Sequence, residues 1–125
     1  MARIIGMVGK RLQVHPSSVL RAADIVFDED MDLREYGVDG ALVATPGHTL
    51  GSGSLILDDG QAIIGDLVVK KYFLRGEPIK PPFMEDRDQL NISLHKLLDR
   101  KAKILYPGHG GPINIEEISR LIKPL

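Results

Sequence analysis

The sequence contains no cysteine and no tryptophan, and aromatic residues of all kinds make up only 5% of the chain. The lack of cysteine excludes disulfide bonds and thiolate metal sites. The net charge is only −1. Proteins that bind nucleic acids typically combine a basic face with clustered aromatic side chains, and this composition offers neither. We therefore expect no nucleic-acid partner.

Long hydrophobic runs are also missing. No segment approaches the ~20 apolar residues of a membrane span. The apolar run from Ile4 to Val8 is too short for the core of a signal peptide. These absences predict a cytoplasmic protein with no membrane partner. The length of 125 residues, of which 43% are hydrophobic and 26% charged, suits a single domain over residues 1–125.

Short apolar runs bounded by Gly, Pro or Asp predict strands at residues 4–8, 41–44, 54–57, 62–64 and 103–106. Asp58-Asp59-Gly60 reads as a hairpin turn. Three helices are expected: a short one from Ser17 or Ser18 to Ala23, one from about Asp86 to Arg100, and one after a cap at Asn114. The apolar stripes of the last two are Leu90, Leu94, Leu97 and Leu98, and Ile115, Ile118, Leu121 and Ile122.

The expected strands are apolar at successive positions, which is typical of strands buried on both faces. Three helices, one of them short, suffice to cover only one face. The predicted fold class is therefore α/β, with a mixed sheet and helices on one face. The other face needs a cover from outside this set of elements, and pairing with a second copy in a homodimer would provide it.

Three Gly-rich segments each place a metal-competent side chain directly after an expected strand. They are Thr45-Pro46-Gly47-His48-Thr49-Leu50-Gly51-Ser52, Ile64-Gly65-Asp66-Leu67 and Tyr106-Pro107-Gly108-His109-Gly110-Gly111-Pro112. Neutral imidazoles and an ionised carboxylate on rigid backbone are what a divalent metal requires. Each segment alone is a weak signal, because a histidine or aspartate in a tight turn is usually structural or solvated.

Taken together and in this order, the three segments resemble the metal-binding motifs of the metallo-β-lactamase superfamily, over about residues 40–112. The resemblance implies half of a four-layer αββα sandwich. It also implies that His48 binds a first metal, that Asp66 bridges two metals as the catalytic aspartate, and that His109 binds the second. Thr49 and Ser52 would orient His48 by hydrogen bonds, or serve only as turn hydroxyls. Zinc is the expected metal, with iron or manganese as alternatives.

The sequence departs from the family in one respect. The family's other ligands come from a His-x-His-x-Asp-His motif, and the only histidines here are His15, His48, His95 and His109. Each metal would then keep one histidine and a share of Asp66, whereas a catalytic zinc normally holds about three protein ligands. The resemblance therefore covers a truncated domain with an incomplete metal site.

Three functions remain open at this stage. In the first, the chain is catalytically impaired or inactive alone and pairs through its exposed sheet face. Alternatively, it is an active ester or thioester hydrolase whose site is completed across a dimer or by a partner chain. The third is a binding module without chemistry. Among the remaining candidates, His15 is interpreted as structural and His95 as solvated. A basic segment could contact an anionic substrate group, but we interpret it as a solvated loop; its residues are Lys70, Lys71, Arg75 and Lys80.

Overall fold

The computed structural model describes residues 25–27, 29–71 and 76–125. The expected strand at residues 4–8, the expected helix ending at Ala23, His15 and Arg75 lie outside these residues. That residues 1–125 form one domain therefore stays a prediction. No helix in the described part of the chain is long and apolar enough to cross a membrane. The cytoplasmic location stays a prediction.

Most of the described strands belong to one mixed sheet of six strands, in the order β1-β2-β3-β4-β7-β8, beside a separate pair, β5-β6. Their bounds are β1 Met31–Asp32, β2 Gly40–Ala44, β3 Gly53–Leu57, β4 Gln61–Gly65, β5 Val69–Lys70, β6 Pro78–Ile79, β7 Ile104–Pro107 and β8 Ile113–Asn114. Strands β4 and β7 are parallel, and the other neighbouring pairs are antiparallel. The predicted mixed sheet is confirmed.

The turn between β3 and β4 is the hairpin that the sequence predicts. The backbone N–H of Gly60 donates to the carbonyl of Leu57 at 3.0 Å, and Gly60 has a φ of 94°. Glycine adopts this left-handed conformation without the steric penalty that a Cβ atom brings. The carbonyl of Gly60 accepts from the N–H of Lys103 at 2.7 Å, so the turn is also joined to the start of β7.

The helix α1 (Arg87–Asp99) matches the predicted span. The Asp86 side chain caps it by accepting from the backbone N–H groups of Asp88 and Gln89 at 2.9 Å. Its buried face carries Leu90, Leu94 and Leu97, all fully buried. Leu98 was expected in that stripe and is instead 42% exposed. It lies in the last turn of α1, beyond the leucines that pack into the core.

The predicted C-terminal helix is a 3-10 helix, Ile115–Leu121, rather than an α-helix. Asn114 is the N-cap, as the sequence predicts. It forms a capping box, in which its backbone N–H donates to the Glu117 carboxylate at 2.8 Å. In a 3-10 helix the side chains repeat every three residues, so Ile115, Ile118 and Leu121 share one face. Ile118 is fully buried, and the other two pack against the core at its edge.

The strands alternate between a face that the helices cover and an open one, as expected from helices that suffice for one face only. That something outside these elements covers the open face stays a prediction. Ile56, Ala62 and Leu105 are neighbours in register and are at most 6% exposed, under α1 and the 3-10 helix. On the opposite face, Ile63 is 55% exposed and Tyr106 is 38% exposed. We call this second face the open sheet face; its apolar residues include Leu55, Leu57, Ile63, Ile104 and Tyr106.

Candidate metal centre

Strand direction brings the three candidate ligands to one edge of the sheet. Strands β2 and β4 both run antiparallel to β3, so they point the same way, and β7 is parallel to β4. The carboxyl-terminal ends of β2, β4 and β7 therefore lie at a common edge, which we call the ligand edge. His48 follows β2, Asp66 follows β4 and His109 follows β7 within a few residues.

The carboxylate of Asp66 lies between the two histidines and presents one oxygen to each. His109 Nδ1 is 2.7 Å from Asp66 Oδ1, a hydrogen bond, while His48 Nε2 is 3.7 Å from Asp66 Oδ2. The side chains remain accessible, at 25% exposure for Asp66, 29% for His48 and 53% for His109. A ligand approaching from solvent therefore reaches all three.

The ring of His48 is oriented by a backbone carbonyl. Its Nδ1 is 2.8 Å from the oxygen of Phe83. A carbonyl only accepts hydrogen bonds, so in the neutral ring the proton is on Nδ1 and the lone pair is on Nε2. Nε2 is also the atom nearer to Asp66. Such a partner on the far ring nitrogen is common for metal-binding histidines, because it fixes the tautomer and the ring orientation.

The loop that carries His48 is fixed against the segment before α1. The carbonyls of Gly47 and His48 accept from the N–H groups of Asp86 and Glu85 at 3.0 and 3.1 Å. The Glu85 carboxylate in turn accepts from the N–H of Leu50 at 2.6 Å. The sequence reasoning missed this support, because backbone carbonyls and a single glutamate give no distinctive local pattern.

Thr49 and Ser52 hydrogen-bond each other. Their hydroxyl oxygens are 2.8 Å apart, and the N–H of Thr49 donates to Ser52 Oγ at 3.1 Å. This arrangement matches the alternative in which both residues are turn hydroxyls. Any orienting effect on His48 would act through the shape of the turn, since the group on the His48 ring is the Phe83 carbonyl.

Glycine allows the β4 and β7 ends to approach each other closely. The N–H of Gly108 donates to the carbonyl of Gly65 at 2.8 Å. A Cβ atom at Gly108 would lie 2.8 Å from Asp66 Oδ1, too near for an unshifted carboxylate. The adjacent His109 carbonyl accepts from the N–H of Lys70 at 3.1 Å, which joins the loop to β5.

The donors suit a divalent metal in kind and direction but not in number. With bonds of about 2.0–2.1 Å, two ligands of one tetrahedral zinc lie about 3.3 Å apart, near the 3.7 Å between His48 Nε2 and Asp66 Oδ2. Asp66 and His109 contact each other directly. Among the described residues, no group of three His, Cys, Asp or Glu side chains forms a cluster that could hold one ion. With these three residues alone, each ion position would have two ligands.

A recess of about 440 Å³ opens beside His48 and is lined by Pro82, Phe83, Met84, Glu85 and Arg87. Phe83 is 73% exposed at this position, and Leu50, in the loop that carries His48, is 76% exposed. Exposed apolar side chains therefore border the candidate ligand His48.

A larger recess, of about 590 Å³, contains none of the three candidate ligands. It lies near the hairpin turn, and most of its charged groups pair with one another. Arg34 contacts Asp32 and Asp58 at 2.5 and 2.6 Å, and Arg100 pairs with Asp30. We interpret this recess as a surface network of ion pairs rather than a functional site.

Comparison with protein families gives one match that spans most of the chain. The family model of the metallo-beta-lactamase superfamily matches residues 6–109. The Beta-lactamase-like protein 2 homolog of Caenorhabditis elegans is 36% identical over 95 residues, which are 71% of this chain and 30% of that protein. The protein of Methanocaldococcus jannaschii named "Probable metallo-hydrolase MJ0888" is 28% identical over 95 residues, which are 76% of this chain and 43% of that protein.

Comparison with solved structures gives the same fold. The chain aligns with the di-iron-bound form of TTHA1623 at a TM-score of 0.60 and 22% identity, over 97% of this chain and 57% of that one. At this level of identity the match concerns the fold alone. The chain spans less than half the length of these two curated relatives.

Proposed function

Because the chain belongs to the metallo-β-lactamase superfamily, we propose that it is a metal-binding, hydrolase-like protein that is catalytically impaired alone and pairs with a second copy through its open sheet face. The observation that carries this proposal is the arrangement of His48, Asp66 and His109. Donors of the right kind meet at one edge, yet they supply too few ligands for a complete centre.

His48, Asp66 and His109 are the residues that would hold the metal. His48 would bind through Nε2, since the Phe83 carbonyl occupies its Nδ1. Asp66 would contribute one oxygen to each of two positions. A metal bound there lowers the pKa of a bound water and polarises the bond that the water attacks. Zinc suits these ligands, and iron or manganese are the alternatives to test beside it.

The open sheet face adjoins the incomplete site. A recess of about 520 Å³ on this face is lined by Leu57, Ile63, Tyr106 and their neighbours, and its lining also includes Gly65 and Gly108. These glycines are next to Asp66 and His109 in the chain. A protein surface packed on the open sheet face would therefore reach the ligand edge as well. This continuity favours a second copy, which would bury the apolar side chains and bring three further ligands.

An active ester or thioester hydrolase, completed across the pair or by a partner chain, is the second candidate. The orientation of the Asp66 carboxylate favours this candidate, because one oxygen toward each histidine is the arrangement that two ions would need. Hydrolysis of an aryl ester or a simple thioester that a chelator abolishes and zinc restores would support this candidate. Inactivity with zinc, iron and manganese alike would contradict it.

We expect the purified protein, made without a histidine tag and exposed to zinc, to retain about one zinc per chain by mass spectrometry. His48→Ala and His109→Ala should each retain clearly less zinc than the unmodified chain, since each removes one of the two ligands at one position. His95→Ala is the matched control, because His95 lies on α1 and contacts the Lys123 carbonyl rather than Asp66. Equal zinc in all four proteins, or none in the unmodified chain, would refute a metal site at the ligand edge.

Placing a charge on the open sheet face should separate the pair. In Ile63→Glu the carboxylate would have to lose its water in an apolar interface, and light scattering at micromolar concentration should show a monomer where the unmodified protein is a dimer. Ile92→Glu is the matched control, since Ile92 is 37% exposed on α1, which packs on the other face of the sheet.

Loss of zinc in monomeric Ile63→Glu would support completion of the site across the pair. A monomeric unmodified protein, or a dimer that Ile63→Glu leaves intact, would overturn pairing through the open sheet face.

A further inference from the structure

A fourth recess, with three basic side chains in its lining, contains none of the three candidate ligands, although Arg87 lines both it and the recess beside His48. It has a volume of about 240 Å³ and separates α1 from the C-terminal residues Lys123–Leu125; we call it the tail cleft. Its lining residues are Lys80, Arg87, Asp88, Asn91, Ile92, Lys123, Pro124 and Leu125. Asp88 is the only acidic side chain among them, against three basic ones.

The ammonium group of Lys80 is the unusual feature of the tail cleft. Its Nζ atom is buried and has no hydrogen-bond partner among the described residues. The sequence reading of Lys80 as part of a solvated loop is therefore wrong. An ammonium group removed from water without a partner is strongly unfavourable, so such a group generally has a counter-ion or loses its proton.

The charges around Lys80 further disfavour its charged ammonium form. Burial lowers the pKa of Lys80, and the positive charges of Lys123 and Arg87 lower it further, while Asp88 raises it. Three basic side chains and one acidic side chain leave an excess of two positive side-chain charges around a small recess. An anion with two negative charges would neutralise this excess and stabilise the ammonium form of Lys80.

The wall of the tail cleft is held in place before any ligand arrives. Asn91 is only 9% exposed, and its side chain forms two hydrogen bonds with the backbone of Lys123, at 3.0 and 2.8 Å. His95 Nε2 donates to the same Lys123 carbonyl at 2.7 Å. The backbone of Lys123 is therefore fixed in the wall of the tail cleft, which reduces the entropy lost when a ligand binds.

We propose that the tail cleft is a binding site for a small dianionic oxyanion of the phosphate type, held by Lys80, Arg87 and Lys123. All three side chains line the same small recess, and the buried ammonium of Lys80 has no other partner among the described residues. The proposal does not depend on metal binding at the ligand edge. Its ligand is either free phosphate or the phosphoryl group of a phosphomonoester.

The test is a calorimetric titration of the full chain with inorganic phosphate, at constant ionic strength in chloride and in the presence of a chelator. The chelator and an Asp66→Asn background remove phosphate binding to any metal. We expect Lys80→Met and Lys123→Gln each to weaken binding by about tenfold or more, because each removes a charge-assisted hydrogen bond. Lys101→Gln is the matched control, since Lys101 is exposed just beyond the opposite end of α1.

Thermal unfolding gives a second readout that is independent of calorimetry. Without phosphate, Lys80→Met should unfold at a higher temperature than the unmodified protein, because the unpaired buried charge is gone. Phosphate should raise the unfolding temperature of the unmodified chain and of Lys101→Gln but not that of Lys80→Met. Equal phosphate effects in all variants, or no binding to the unmodified chain, would overturn the proposal.

Tighter binding of phenyl phosphate than of inorganic phosphate would identify the ligand as a phosphomonoester, and the reverse order would identify it as the free ion.

Discussion

Asp66→Asn should lower the affinity of the protein for zinc by about 100-fold or more, a larger loss than either histidine variant shows. Each histidine serves one ion position, whereas Asp66 presents an oxygen to both. Asparagine keeps the shape of the side chain and still accepts the hydrogen bond from His109 Nδ1, so the fold should be retained. Titration of zinc against a chromogenic chelator measures the change, and circular dichroism checks the fold.

The matched control for this substitution is Asp99→Asn, which removes the same charge from an exposed position in the last turn of α1. Its zinc affinity should equal that of the unmodified chain. If Asp66→Asn and Asp99→Asn bind zinc alike, the carboxylate between the two histidines has no part in metal binding, and the proposed role of Asp66 is wrong.

Gly47→Ala should destabilise the protein by about 2–4 kcal/mol, the largest effect on stability that we expect from a single methyl group in this chain. Gly47 has a φ of 138°, a conformation that residues with a Cβ atom rarely adopt. A Cβ atom there would also lie 2.4 Å from the Cα of Leu90, and neither backbone can move without disturbing α1 or the loop. Because His48 is the next residue, zinc binding should weaken as well.

Gly51 provides the comparison within the same loop. A Cβ atom at Gly51 would meet nothing within 4 Å, so Gly51→Ala should change the free energy of unfolding by no more than about 0.5 kcal/mol. Urea denaturation of both variants measures the difference. Equal midpoints for Gly47→Ala and Gly51→Ala would show that the contact with Leu90 does not constrain the loop.

The candidate ligands are identified from the sequence because three Gly-rich segments, taken in order, resemble the metal-binding motifs of the superfamily. A strand of apolar residues that ends in a Gly-rich turn is a local pattern, and His48, Asp66 and His109 all show it. What the sequence does not contain is the direction of each strand. The structure adds that β2, β4 and β7 point the same way, which is why three separated segments reach the same edge.

The faces of the sheet could not be separated from the sequence. Ile63 and Ile64 are equally apolar, yet Ile64 is 2% exposed and Ile63 is 55% exposed. A strand that is covered on both faces and a strand whose second face is apolar but open have the same composition. Only the position of α1 and of the 3-10 helix, both on one side, distinguishes them in this chain.

Contacts between distant segments could not be predicted from the sequence either. Lys80 and Lys123 are far apart in the sequence, and nothing near Lys80 indicates that the C-terminal residues will cover it. His95 meets its carbonyl partner through the same fold-back of the chain. The type of the C-terminal helix was also missed, because a capping box marks where a helix begins but not which hydrogen-bond pattern follows.

The common direction of β2, β4 and β7 also determines where a label or an anchor can be attached without covering the ligand edge. The turn at Asp58–Gly60 joins β3 to β4 at the edge opposite the ligands, so the two edges of the sheet face away from each other. A fluorophore or a surface anchor attached at that turn would leave His48, Asp66 and His109 facing the solution. With no native thiol to compete, a single cysteine introduced there would be the only group to react with a maleimide.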